Sequence, residues 1–180
     1  MAVLKIPDAG VTIDNFKEIQ SFLETRGIWH DKWEATEHLK SDATQDEILN
    51  AYARDLKPFM ERGGYQTADV INVHAGTPNI DALRTKFLAE HTHTEDEIRF
   101  FVDGMGIFWF HVGEEVFSLT CRAGDLLSVP ANITHWFDLG SEPNVKAIRI
   151  FIDMSGWVPH YTGSGIDAKY NPSYAAQAKA

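Results

Sequence analysis

Glu90-His91-Thr92-His93-Thr94-Glu95-Asp96-Glu97-Ile98-Arg99-Phe100-Phe101 is the stretch on which the reading of this chain turns. Two imidazoles, one carboxylate and one guanidinium occupy positions 91, 93, 97 and 99, all odd. Alternate side chains of a β-strand share a face. A strand over 91–102 therefore projects His91, His93, Glu97 and Arg99 into one cavity, with any irregularity confined to 94–96. Two imidazoles two residues apart grip one ion from one side, and Glu97 adds an anionic oxygen. These donors suit iron, nickel, manganese, cobalt or zinc. The lack of a thiolate argues against a structural zinc finger. The fourth candidate ligand is His135, in Gly124-Asp125-Leu126-Leu127-Ser128-Val129-Pro130-Ala131-Asn132-Ile133-Thr134-His135. The turn at Pro130 and Asn132 returns the next strand, with His135 and Phe137 on one face. Three His and one Glu leave two positions of an octahedral ion for a bidentate substrate.

Working outward, short strands are expected at about 91–102, 107–112, 116–120, 125–129, 134–138 and 145–152. Asp103-Gly104, Gly113-Glu114 and Arg122-Ala123-Gly124 mark turns between them. Such spacing indicates an antiparallel barrel or jelly roll. The first half reads mainly helical. Asp14 or Asn15 caps a helix to about Glu24, closed by Gly27. Thr44-Gln45-Asp46-Glu47 has capping-box spacing and opens a second helix, in which Pro58 is expected to kink or end the regular bonding. Strands are expected near 27–34 and 69–74, and a short helix from Asn79. The expectation is one mainly β domain over 1–180, with helices in 1–90 covering a barrel at about 91–153 and a mobile tail from about 175.

A chain of 180 residues with 44% hydrophobic and 23% charged residues is globular in composition. The formal net charge of -10 argues against nucleic acid or an anionic membrane as partner. No run approaches a membrane helix or a signal peptide. The single cysteine, Cys121, allows no internal disulfide, which fits a reducing compartment. A soluble cytoplasmic monomer is expected. Cys121 reads as a passive turn residue. His30, His38, His74 and His160 lack a partnered spacing, and His111 reads as a non-ligand at a strand end.

The two segments resemble the two cupin motifs, as His91-x-His93-x3-Glu97-x6-Gly104 and Gly124-x5-Pro130-x4-His135. Thr85 and Asn132 stand where those motifs carry Gly, and Leu139 where the second ends in Asn; no ligand is lost. A narrower resemblance, over nearly the whole chain, is to the acireductone dioxygenases of methionine salvage. It is densest in Lys86-Phe87-Leu88-Ala89-Glu90-His91-Thr92-His93 and Glu95-Asp96-Glu97-Ile98-Arg99-Phe100-Phe101-Val102. It continues through His135-Trp136-Phe137-Asp138, Gly140-Ser141-Glu142-Pro143-Asn144 and Ala147-Ile148-Arg149-Ile150-Phe151.

The resemblance implies a cupin barrel with one Fe(II) or Ni(II), acting with O2 on 1,2-dihydroxy-3-keto-5-methylthiopentene. Iron gives 4-methylthio-2-oxobutanoate and formate; nickel gives 3-methylthiopropanoate, formate and carbon monoxide. One ligand carboxylate leaves the ion enough charge to stabilise an enediolate. Arg99 shares the ligands' parity and can reach the substrate oxygens, and the resemblance assigns it that role; a structural ion pair is its alternative. By resemblance, Glu90 aids metal loading and Asp96 relays conformational change. Phe100, Phe137, Arg149 and Trp157 are candidate substrate contacts, for which core packing is the alternative.

Overall fold

The structure is a computed structural model describing residues 1–35, 39–40 and 42–171, without the Met154 side chain. His38 and the tail expected from about residue 175 lie outside the described residues. The elements are β1 (Val3–Ile6), β2 (Val11–Ile13), α1 (Phe16–Glu24), β3 (Trp29–Lys32), α2 (Gln45–Ala51), α3 (Ala53–Gly63), β4 (Thr67–His74) and α4 (Ile80–Phe87). There follow β5 (His91–Thr92), β6 (Glu97–Val112), β7 (Glu115–Arg122), β8 (Asp125–Val129), β9 (Thr134–Asp138), β10 (Asn144–Phe151), β11 (His160–Tyr161) and α5 (Asp167–Tyr170).

All strand pairs are antiparallel, and β6 belongs to two sets of them. Its first half pairs with β10 and β8, which carry β4 and β3 at their outer edges. Its second half pairs with β7 and β9, extended by β1–β2 on one side and β5–β11 on the other. The result is a mainly antiparallel β architecture with flanking helices.

Asp103-Gly104, expected as a hairpin turn, instead lies inside the 16-residue β6. The register with β10 shifts there: Lys146 faces Asp103 and Ala147 faces Phe101, leaving Val102 as the extra residue of a bulge. Gly104 has φ +71°, and a Cβ there would collide with the Asn144 carbonyl. The bulge bends β6 from one set of partners to the other. It also inverts the strand's parity. Before it, even-numbered Ile98 and Phe100 are buried beneath α2 and α3 with Ile48, Tyr52 and Leu56. After it, even-numbered Phe108 and Phe110 enter the barrel core with Phe117, Leu119 and Phe137.

The helix signals behave as capping chemistry requires. Asn15 Oδ1 accepts from the N–H groups of Lys17 and Glu18 at 2.9 and 3.2 Å, and Ile19 and Leu23 bury the face of α1. Thr44 and Glu47 form the reciprocal capping box of α2. Pro58 neither ends nor divides the helix where expected. The break falls at Tyr52, and Pro58 lies within α3. Pro58 and Arg54 are both exposed, so the carbonyl left without a donor one turn back can bond water. Two further expectations are corrected and one element is added. The strand over 91–102 is broken into β5 and the start of β6. The β1–β2 hairpin, turned at Pro7–Gly10, is a feature that strands of 4 and 3 residues are too short to announce by periodicity. Cys121 is a fully buried residue of β7, not a turn residue, and burial raises its thiol pKa well above the ordinary value.

Asp125 begins β8 fully buried. Its Oδ1 lies 3.0 Å from His30 Nε2 and 2.9 Å from Lys32 Nζ, and its Oδ2 accepts from the Arg122 N–H at 2.7 Å. Burial alone would raise its pKa, but His30, the Arg122 amide and Lys32 outweigh burial and hold it below the usual value. Stability from this lowered pKa is present above the unfolded-state value and is lost as pH falls through the folded one. Asp125→Asn is expected to lower the unfolding free energy by about 3 kcal/mol at neutral pH. In urea titrations at several pH values, that deficit should shrink as pH drops below about 4.

Candidate metal centre

His91 is in β5 and is paired directly with His135 in β9. His93 follows in the turn, and Glu97 is the first residue of β6. A ligand atom from each of these four buried residues lies within 4.8 Å of the others. Glu97 Oε2 is 3.0 Å from His93 Nε2 and 3.1 Å from His135 Nε2. The imidazoles are oriented from behind. Nδ1 of His91 faces the Ala89 carbonyl at 2.7 Å, that of His135 the Ile133 carbonyl at 2.8 Å, and that of His93 the Val158 carbonyl at 3.3 Å. A proton on each Nδ1 leaves each Nε2 with its lone pair facing inward. Burial, then the neighbouring His135, pushes the His91 pKa down to about 4, so this ligand is neutral at pH 7.

Three inward lone pairs beside a carboxylate form a set of acceptors in want of a cation, and nitrogen–oxygen donors of this kind suit a divalent transition metal. Asn132, which stands where the resembled motif has Gly, adopts φ +65°, the left-handed conformation Asn tolerates. The turn leading to His135 is thus preserved.

Arg99 lies beside the carboxylate, its Nε 2.7 Å from Glu97 Oε1. The N–H does not point along that line, and neither Nε nor Nη1 has a hydrogen-bond acceptor. The guanidinium sits 4.5 Å from the centroid of Phe137 and 5.2 Å from that of Phe108. Burial would raise the Glu97 pKa. The charge of the neighbouring Arg99 overcomes it and holds that pKa well below the ordinary value.

The four residues and Arg99 line a small cavity of about 80 Å³ that opens to solvent. Phe137, Arg149 and Trp157 line it too. Arg149 pairs across the strands with Arg99, and its Nε and Nη2 are clamped by Asp69 at 2.8 and 2.5 Å. Trp157 stacks on His93 with centroids 5.9 Å apart. Phe100 is a correction: it lies on the opposite face, against Tyr52 and Trp33 at 5.0 and 5.1 Å, because its parity is opposite to that of Glu97 and Arg99.

Glu90 and Asp96 stand outside the cavity. Glu90 Oε1 accepts from His111 Nδ1 at 2.7 Å, and its Oε2 accepts from the Thr162 and Ser164 hydroxyls. His111 is thereby placed away from the four-residue cluster. Asp96 Oδ1 accepts from the Ala131 N–H at 3.0 Å, and its carbonyl accepts from the Trp157 indole at 3.2 Å. It ties the turn carrying His93 to the turn before β9 and to the cavity mouth. Sequence reasoning missed Lys86, Phe87 and Pro159 in the lining. It also missed the strap after β10, where Thr94 N–H reaches the Gly156 carbonyl and β11 pairs with β5. Helical spacing from Asn79 turns Phe87 inward without placing it at the cavity, and no periodicity signals Lys86, Pro159 or the strap. The string around Lys86-Phe87 was visible only as a resemblance. Among the described residues, no helix is long and apolar enough to cross a membrane.

Residues 10–159 match the model of the ARD/ARD′ family. An acireductone dioxygenase of Picosynechococcus sp. is 53% identical over 171 residues, covering 94% of this chain and 97% of its own. One from Klebsiella oxytoca is 46% identical over 156 residues, 87% of each chain. The solved structure of acireductone dioxygenase from Bacillus anthracis, with a cadmium ion in its active centre, superposes with a TM-score of 0.84 at 36% identity, covering 89% of this chain and 98% of that one. The cupin barrel expected from the two motifs is the fold of this chain.

His91→Ala should reduce bound metal from one equivalent per chain to well below it, as read by elemental analysis after dialysis, while leaving the far-ultraviolet dichroism intact. An unchanged metal content would remove His91 from the ligand set. The lowered His91 pKa also sets an acid response for the metal-stripped protein. Between about pH 6.5 and 4 the unfolded chain takes up a proton at this residue that the native one does not, so stability should fall as pH drops through that window. His91→Ala should make the thermal midpoint less dependent on pH there.

Proposed function

We propose, for a chain that belongs to the ARD/ARD′ family of acireductone dioxygenases, that His91, His93, Glu97 and His135 hold one Fe(II) or Ni(II) and that the adjoining cavity takes 1,2-dihydroxy-3-keto-5-methylthiopentene. The observation that carries this reading is the convergence of three Nε2 atoms and one carboxylate beside a buried guanidinium whose Nη1 has no acceptor. An ion held by these four residues would supply Lewis-acid stabilisation of the ionised enediol and the redox-active centre that a dioxygenase needs. With iron the products are 4-methylthio-2-oxobutanoate and formate; with nickel they are 3-methylthiopropanoate, formate and carbon monoxide.

Arg99 is the catalytic residue of the chain's own machinery. Its Nη1 donates to a substrate oxygen, and its charge favours the doubly ionised enediolate. Buried among aromatic rings, it does this where water is excluded and the interaction is correspondingly strong. Arg149, clamped on one side by Asp69, has Nη1 left for the substrate. Phe137 and its edge-on neighbour Phe87, 6.0 Å away, pack the methylthio end. Trp157 closes the mouth over His93. Glu90 anchors the strap and, next to His91, assists loading of the ion. Asp96 relays movement between the turn bearing His93 and Trp157. The protein works as a cytoplasmic monomer on a small molecule and O2, without nucleic acid or membrane.

The test is to load stripped protein with iron(II) or nickel(II), add acireductone anaerobically and admit oxygen. Enediolate absorbance should then disappear with metal-specific products. No acceleration with either ion would refute the assignment. Arg99→Lys keeps a cation beside Glu97 and removes the planar fork. It should retain bound metal and lose about a hundredfold in turnover; an unchanged rate would sink the role given to Arg99.

A further inference from the structure

Three cations line the cavity, and only one is left without a neutralising partner. Arg99 stands 2.7 Å from Glu97, and Arg149 is held by both oxygens of Asp69. Lys86, at the end of α4, forms no ion pair among the described residues. It is also the exposed member of the lining, whereas His91, His93, Glu97, Arg99 and His135 are buried. Lys86 therefore marks the mouth. Among the side chains, the carboxylates of Glu97 and Asp69 balance the two guanidiniums; a bound divalent ion would add positive charge in the depth of the cavity, and Lys86 adds its own at the rim.

That charge stands on a chain of formal net charge -10. An enediol conjugated with a ketone is a vinylogous carboxylic acid and arrives at neutral pH as an anion. The molecule as a whole repels it, so productive approach requires a local field of opposite sign. Phe87, the next residue in the chain, faces the same cavity and meets Phe137 edge to face. The mouth thus places a cation beside an apolar aromatic pair, matching a ligand with an ionised head and a thioether tail.

We propose that Lys86 is the entry cation of this site, drawing the anionic substrate to the mouth and holding an ionised oxygen as the apolar tail settles against Phe87 and Phe137. The inference rests on the acireductone reading and adds to it a substrate-binding residue for the encounter rather than for the bond-breaking step. Acting at the rim, Lys86 should govern association and its salt dependence, in contrast with buried Arg99.

The test uses nickel-loaded protein as wild type, Lys86→Gln and Lys86→Arg. Acireductone is titrated anaerobically by its absorbance at about 20 and 500 mM salt, and steady-state turnover is measured alongside. Wild-type binding should weaken as salt rises. Lys86→Gln should weaken binding about fivefold at low salt and flatten the salt response, raising KM more than it lowers kcat, with metal content maintained. Lys86→Arg should restore both affinity and salt response. Equal affinity and equal salt response in wild type and Lys86→Gln would overturn the proposal, as would failure of Lys86→Arg to restore them. Failure of the wild type itself to bind acireductone would refute the substrate assignment, and the role of Lys86 would fall with it.

Discussion

The carboxylate of Glu97 is the constraint around which the rest is arranged. It is 2% exposed at the start of the central strand, and a buried charge is tolerated only with compensating partners. Arg99 faces one oxygen, and His93 and His135 face the other. Those contacts bring together three separate pieces of chain: the turn before β6, β6 itself and β9. The arrangement is incompletely satisfied for hydrogen bonding, since the guanidinium is misaligned with Glu97. Attraction without a well-made bond keeps Arg99 close and leaves its donors for another acceptor. The rings of Phe108 and Phe137 supply a further favourable environment for its charge.

The parity of β6 connects this pocket to the fold. Glu97 and Arg99 face inward because they precede the bulge at Val102. Had the strand continued regularly, odd-numbered Trp109 and His111 would have faced inward as well. Instead Phe108 and Phe110 fill the barrel, Trp109 packs outside with Trp136, and His111 meets Glu90. Gly106 permits a close approach on the inner side, where a Cβ would overlap the Phe137 ring. That ring can consequently back the cavity beneath Arg99.

The ligand residues were legible in the sequence because period-two geometry depends only on local backbone, and the interruption after His93 did not turn Glu97 or Arg99 away from the cavity. The same reasoning misread Asp103-Gly104, because a turn and a bulge use the same residue types and differ only in what the chain does next. It gave Phe100 two readings, and the face of the strand decides against contact with the cavity. Lys86, Phe87 and the strap reach the site through tertiary packing of α4 and the segment after β10, for which spacing along the chain carries no signal. Caps were the most faithful local signals. Asn15 and the Thr44–Glu47 pair satisfy donors within their own helix ends and need nothing from the remainder of the protein.

The sharing of β6 between two sets of strands has a consequence for the order in which the molecule forms. The β6–β7 hairpin is local, but one set waits on β8 and β10 and the other on β9, so the topology is rich in long-range contacts that close late. His91 and His93 are neighbours from the moment of synthesis, whereas His135 reaches them only when β9 docks. An ion met early by the nascent chain finds a two-imidazole clip, and the full four-donor cage exists only once the barrel has shut.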